Sequence, residues 1–116
     1  MDHLDKVQGK KITSIMFKQD HGLCIYLKGG DVLEIPAPEY SEWKTVDKAK
    51  EKVGSRFVNI FINCENDDYE DRDGTCWEVN TVQIVTTKGS ITYTVMIDPG
   101  DDLSTTYHKG GLNARY

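Results

Sequence analysis

The residues best equipped for chemistry gather near the end of the chain. Tyr107, His108, Lys109, Gly110, Gly111, Asn113 and Arg115 fall within nine positions. Glycines let backbone N–H groups approach an oxyanion, the arginine offers a planar fork for phosphate oxygens, and the tyrosine offers a stacking face for a base. Such a set suits an anionic ligand that contains a ring. It is not a Walker A loop, which needs Gly-x-x-x-x-Gly-Lys-Ser/Thr opening a helix. The bland alternative is a glycine-rich terminus with no ligand. Arg56 is the one arginine outside this segment and the acidic stretch around Arg72, and it enters the most apolar run of the sequence. Two readings stand for it: a second phosphate ligand, or a corner residue paired with a carboxylate. The candidate ligand-binding set is therefore Arg56, Tyr107, His108, Lys109, Asn113 and Arg115.

Other constellations carry less. Glu65, Asp67, Asp68, Glu70, Asp71 and Asp73 invite a calcium reading, but counting back from Gly74 puts Tyr69 at the first ligand position and Asn80 at the distal one. His21 precedes Cys24 by three residues, which in a strand places them on opposite faces. Cys24 and Cys64 are expected to act as small apolar residues on sheet faces, with Cys76 at a strand start. Three cysteines without Cys-x-x-Cys spacing indicate neither a disulfide framework nor a zinc knuckle. There is no Gly-x-Ser-x-Gly elbow or His-Glu-x-x-His helix. No metal, cofactor or catalytic residue is expected, and the chain does not read as an enzyme.

The elements that must position these residues are mostly strands. Residues 11–17, 22–28 and 31–35 form a predicted three-stranded meander with turns at Gln19-Asp20-His21 and Gly29-Gly30. Pro36 and Pro38 end it. Tyr40, Trp43, Val46, Ala49 and Val53 recur at helical spacing, with Ser41 as N-cap, Gly54 as stop, and Lys44, Lys48 and Lys52 on a solvated face. A central strand over 57–64, an acidic connection over 65–74, and strands over 75–87 and 90–98 joined at Lys88-Gly89 follow. In the last of these, Ile91, Tyr93, Val95 and Ile97 share one face, expected to be covered by the helix. A turn-rich tail from Pro99 adds a short strand near 105–108. The expected fold is α+β, a single domain over 1–116 with about six antiparallel strands in one sheet and one packed helix.

Composition bounds the rest. The chain has 116 residues, 38% apolar and 28% charged, with a net charge of −5, the size of one small domain that can hold a core without staples. The six acidic residues between 65 and 73, offset by Arg72, account for that charge, and the remainder balances 13 basic against 13 acidic residues. No polybasic footprint for nucleic acid is implied. No apolar run approaches the ~18 residues of a membrane span, and Met1–Lys6 lacks the order of a signal peptide. A cytoplasmic protein is expected.

The chain also resembles a family of small phage-encoded proteins through Gly9, Lys10 and Ile12 before the meander, Val53, Gly54 and Ser55 after the helical segment, Thr87 to Thr92 at the last hairpin, and Tyr107. Where that family carries paired cysteines after the third strand, this chain has Pro36-Ala37-Pro38-Glu39. In size and predicted strand order it is similar to phage anti-Thoeris proteins and to the related anti-CBASS sponges, which sequester cyclic ADP-ribose or cyclic dinucleotide immune signals without cleaving them. The resemblance implies stoichiometric capture of a small anionic nucleotide in a host bacterial cytoplasm. Tight capture on so small a domain suggests a pocket between subunits, hence a dimer-based homo-oligomer. The competing expectation is an inhibitor whose acidic 65–73 segment imitates nucleic-acid charge and blocks a host nucleic-acid-binding enzyme.

Overall fold

A computed structural model describes residues 5–18, 22–35, 48–100 and 105–108. Seven strands make up most of it: β1 (Ile12–Lys18), β2 (Gly22–Leu27), β3 (Val32–Ile35), β4 (Phe57–Glu70), β5 (Cys76–Thr86), β6 (Gly89–Ile97) and β7 (Thr106–His108). All are paired antiparallel. They do not form the single sheet expected. One sheet has the order β1-β2-β3-β7 and the other β4-β5-β6.

The reason is visible in the alternation of buried side chains. Every second residue of β5 from Asn80 to Thr86, and of β6 from Ile91 to Val95, is buried, and strict period two means one face of that sheet is covered. The other sheet covers it: Val82, Ile84, Ile91, Tyr93 and Val95 share one core with Ile15, Leu23, Ile25, Leu33 and Ile35. In the four-stranded sheet Ile15, Ile25, Leu33 and Tyr107 lie side by side across all four strands. Its opposite face carries Met16, Cys24, Glu34 and Thr106 in the next row, and Cys24 and Val32 there are also buried. Strand β2 is buried on both faces, which explains why residues 23–27 are apolar without alternation.

Of the expected helix over 40–53, only residues 48–50 are described as helical, followed by a turn that ends at Gly54 with φ +92°. Residues 36–47 lie outside the described residues, as does the expected turn at 19–21. Ala49 is fully buried in the shared core.

The two sheets are stitched at one corner. Gly9 N–H donates to Phe57 O, Phe57 N–H to Lys10 O, Ile12 N–H to Ser55 O and Gly54 N–H to Ile12 O, all at 2.8–2.9 Å. Phe57, fully buried, plugs this corner from within.

The acidic connection is a larger correction. Strand β4 does not stop at Cys64 but continues to Glu70, pairing Tyr69 with Trp77 and Glu70 with Cys76, so that only 71–75 turn. Because β6 begins its pairing with β5 at Glu78–Ile97, the stretch beyond is a two-stranded arm standing free of the third strand. Two bulges, at Cys64/Asn66 and Asn66/Tyr69, interrupt its ladder, and bulges with edge charges discourage pairing with a stray strand.

Candidate functional site

Arg56 sits at the corner where the sheets are joined, and what collects around it is cationic. Arg56 bridges Lys11 antiparallel, which sets the two exposed side chains on the same side. Lys28 N–H donates to Lys11 O at 2.8 Å, which brings the end of β2 alongside. From the other sheet, Arg56 N–H donates to Thr87 Oγ1 at 2.9 Å and Thr87 N–H to Arg56 O at 3.0 Å. The β5–β6 turn, Thr87-Lys88, is thereby held against Arg56. Lys52 closes the group, its Nζ donating to Lys88 O at 3.0 Å.

Two turn glycines mark how close these lysines come. Lys88 Nζ lies 3.7 Å from where a Cβ on Gly54 would stand, an ordinary contact, and Lys52 Nζ lies 3.3 Å from where one on Gly89 would, and both glycines have positive φ, +92° and +110°. Lys11, Lys28, Lys52, Arg56 and Lys88 thus come from four separated segments of chain to one end of the molecule. The ion pairs among the described residues, Lys10–Asp31 and His108–Glu34, use none of these five.

Of the two readings of Arg56, the corner placement holds; among the described residues no carboxylate pairs with it, and Nη1 donates to Gly9 O at 2.7 Å. A guanidinium carries five N–H donors, so the exposed remainder can still grip an oxyanion in the bidentate fashion that phosphate and carboxylate favour.

Tyr107 is tied to this corner indirectly. Next to Gly9, Lys10 forms an ion pair with Asp31, and the Tyr107 hydroxyl also donates to Asp31. Asp31, almost fully buried just before β3, holds the Lys10 ammonium above its ordinary value, chiefly through the hydrogen bond that Lys10 Nζ donates to it. Desolvation, then Asp31, pushes the Tyr107 hydroxyl up. Arg56 and Tyr107 are therefore joined through Gly9, Lys10 and Asp31. The Tyr107 ring packs on the core cluster, however, and its hydroxyl is already engaged, so it is not a free stacking platform.

His108 is buried in β7. It lies beside Val32 on the outer face of the four-stranded sheet, 5% exposed, and its Nε2–H donates to Glu34 Oε2 at 2.7 Å. Lys109, Asn113 and Arg115 lie outside the described residues.

The acidic residues are also sorted by geometry. Asp71 accepts hydrogen bonds from Asp73 N–H and Thr75 N–H at 2.9 Å and from Trp77 Nε1–H at 2.8 Å, and these hold its carboxyl below the usual range, with the indole the largest contribution. It builds the turn. Glu65, Asp67, Asp68, Glu70 and Asp73 are exposed. Cys64, expected to be an apolar face residue, is exposed among them; partial desolvation and then the Glu78 and Asp67 carboxylates push its thiol up. Cys24 is fully buried, as expected.

The cationic corner was not legible as a site in the sequence. Lys52 reads as one of a solvated helical row and Lys88 as a turn residue, and nothing in linear order connects residues 11, 28, 52, 56 and 88. Comparison with protein-family models, with curated proteins and with solved structures finds no match.

Proposed function

We propose that this protein is a non-catalytic binder of a small phosphorylated ligand, which it sequesters intact. The class of ligand that fits is a cyclic nucleotide or cyclic ADP-ribose signal, and the phage setting suggested by the sequence resemblance would make such capture a means of evading bacterial defence. One observation carries the reading: Arg56, with donors to spare, stands exposed among Lys11, Lys28, Lys52 and Lys88. The rigid, hydrogen-bonded backbone of the corner holds them there. A phosphate diester or pyrophosphate presents several acceptor oxygens within a few ångströms, and a convergent set of cations on fixed backbone is matched to that pattern. A nanomolar site corresponds to about −12 kcal/mol, more than one exposed corner supplies, so the reading includes a homo-oligomer in which a second subunit walls the ligand.

The test is a thermal-shift screen against cyclic nucleotides and ADP-ribose derivatives. A ligand at 100 times its dissociation constant stabilises by about 2.7 kcal/mol, about 11 °C for a chain of 116 residues. Arg56→Ala and Lys88→Ala should each remove most of that shift, and the ligand recovered by heating should be chemically unchanged. If no compound raises the melting temperature, or if Arg56→Ala binds as tightly as the parent, the reading fails.

A further inference from the structure

The same geometry gives the molecule two electrically opposed ends. Strand β4 starts beside Arg56 and runs 14 residues to Glu70, which at ~3.3 Å per residue is about 43 Å; the longest dimension of the molecule is 45 Å. The cationic corner lies at one end of that strand and the arm at the other. On the arm, Glu65, Asp67, Asp68, Glu70 and Asp73 are exposed, and Arg72 is the basic residue among them. Tyr69, 40% exposed, stands opposite the half-buried Trp77. The arm is stiffened by its ladder and by the three donors that Asp71 collects at the tip.

We infer that the acidic arm of one copy docks on the cationic corner of another, in a head-to-tail contact. Charge complementarity supports it: five cations without carboxylate partners among the described residues face, in a second molecule, five exposed carboxylates. Tyr69 adds an aromatic surface of the kind that anchors interfaces. The arm cannot satisfy its own corner, because a continuous strand holds the two apart. A contact that pairs unlike surfaces is heterologous, and it generates rings or open chains instead of a two-fold dimer. It shares the corner with the nucleotide reading but stands without it, since the association needs no ligand. A nucleotide bound at the corner would compete with the arm.

The experiment is sedimentation velocity on the full chain in nucleotide-free buffer over a concentration series. At ~10 mM salt the screening length is ~30 Å and at ~1 M it is ~3 Å. The weight-average mass should rise above the 13.2 kDa of one copy at low salt and return to it at high salt. An arm variant (Asp67→Asn, Asp68→Asn, Glu70→Gln, with Asp71 kept) and a corner variant (Lys11→Gln, Lys28→Gln, Lys88→Gln) should each stay single at low salt. Mixed together they should form a one-to-one complex, because the first retains a corner and the second an arm. Melting curves establish that both variants are folded, and the salt response of the parent protein tests the inference even if one is not. The inference is overturned by a parent protein that stays single at low salt, including one whose arm captures only a foreign basic protein. An association that survives ~1 M salt, or two variants that ignore each other on mixing, overturns it too. Failure of the nucleotide screen leaves this result untouched.

Discussion

His108 and Glu34 decide how the last strand is held, and Glu34→Ala tests it. Strand β7 has three residues, and its ladder to β3 consists of three residue pairs. Beyond that ladder it is secured by Tyr107 on Asp31 and by His108 on Glu34, where the imidazole side chain is 5% and the carboxylate 18% exposed. Truncating Glu34 leaves a buried N–H without its acceptor, which costs about 1–3 kcal/mol. Unfolding entropy of ~2.1 cal/mol/K per residue over 116 residues amounts to about 0.24 kcal/mol/K. The melting temperature should therefore fall by about 4–12 °C. Glu34→Gln retains an oxygen that accepts from Nε2–H and loses only the charge assistance, so its fall should be about half as large. Calorimetry on the parent and both variants at pH 7 reads the difference. Equal losses in the two variants, or a shift below about 2 °C for Glu34→Ala, would refute the claim that this hydrogen bond anchors the strand.

Further outcomes follow from single contacts. Phe57→Ala empties the fully buried corner of the core and should cost about 3–5 kcal/mol, read as a loss of denaturant midpoint with unchanged slope. Gly89→Ala forces a side chain onto a φ of +110° and against Lys52 Nζ; a loss of about 1–3 kcal/mol is expected, with weaker anion binding because Lys52 and Lys88 are displaced. Lys10 and Tyr107 are both held above their ordinary values of 10.5 and 10.0. The protonated forms are thus favoured by folding, so the stability they contribute is present below about pH 10 and is lost as pH rises through the raised values. Denaturant titrations at alkaline pH should show that limb in the parent and a weaker one in Asp31→Asn. Cys64 should alkylate faster as salt screens Glu78 and Asp67, which help to keep its thiol protonated, while Cys24, fully buried, should react only on unfolding; mass spectrometry of timed samples separates the two.

The strands were legible residue by residue because their signal is local. Alternation of period two along Ile91–Ile97, the glycines at 29 and 30, and the β-branched run from Phe57 each act within a few positions, and apart from the far end of β4 the observed strands fall within one residue of the expected ends. Even the short β7 followed from its residues. The acidic segment misled for an equally local reason. Six acidic residues among 65–73 read as a solvated loop, whereas cross-strand pairs such as Tyr69–Trp77 and the Asp71 turn pay for a strand there.

What the sequence determined on its own is thus the set of strands, the buried side of the last long one, and the concentration of negative charge in one stretch. It could not say that two inner faces would cover one another, since a helix would satisfy the same apolar stripe equally well. That choice belongs to the tertiary structure, through the hydrogen bonds between residues 9–12 and 54–57. The same corner, by drawing residues 11, 28, 52, 56 and 88 together, turned a chain whose remaining charges cancel by count into one with a cationic end. Electrostatic potential depends on distance in space, and linear order carries no information about distances across a fold.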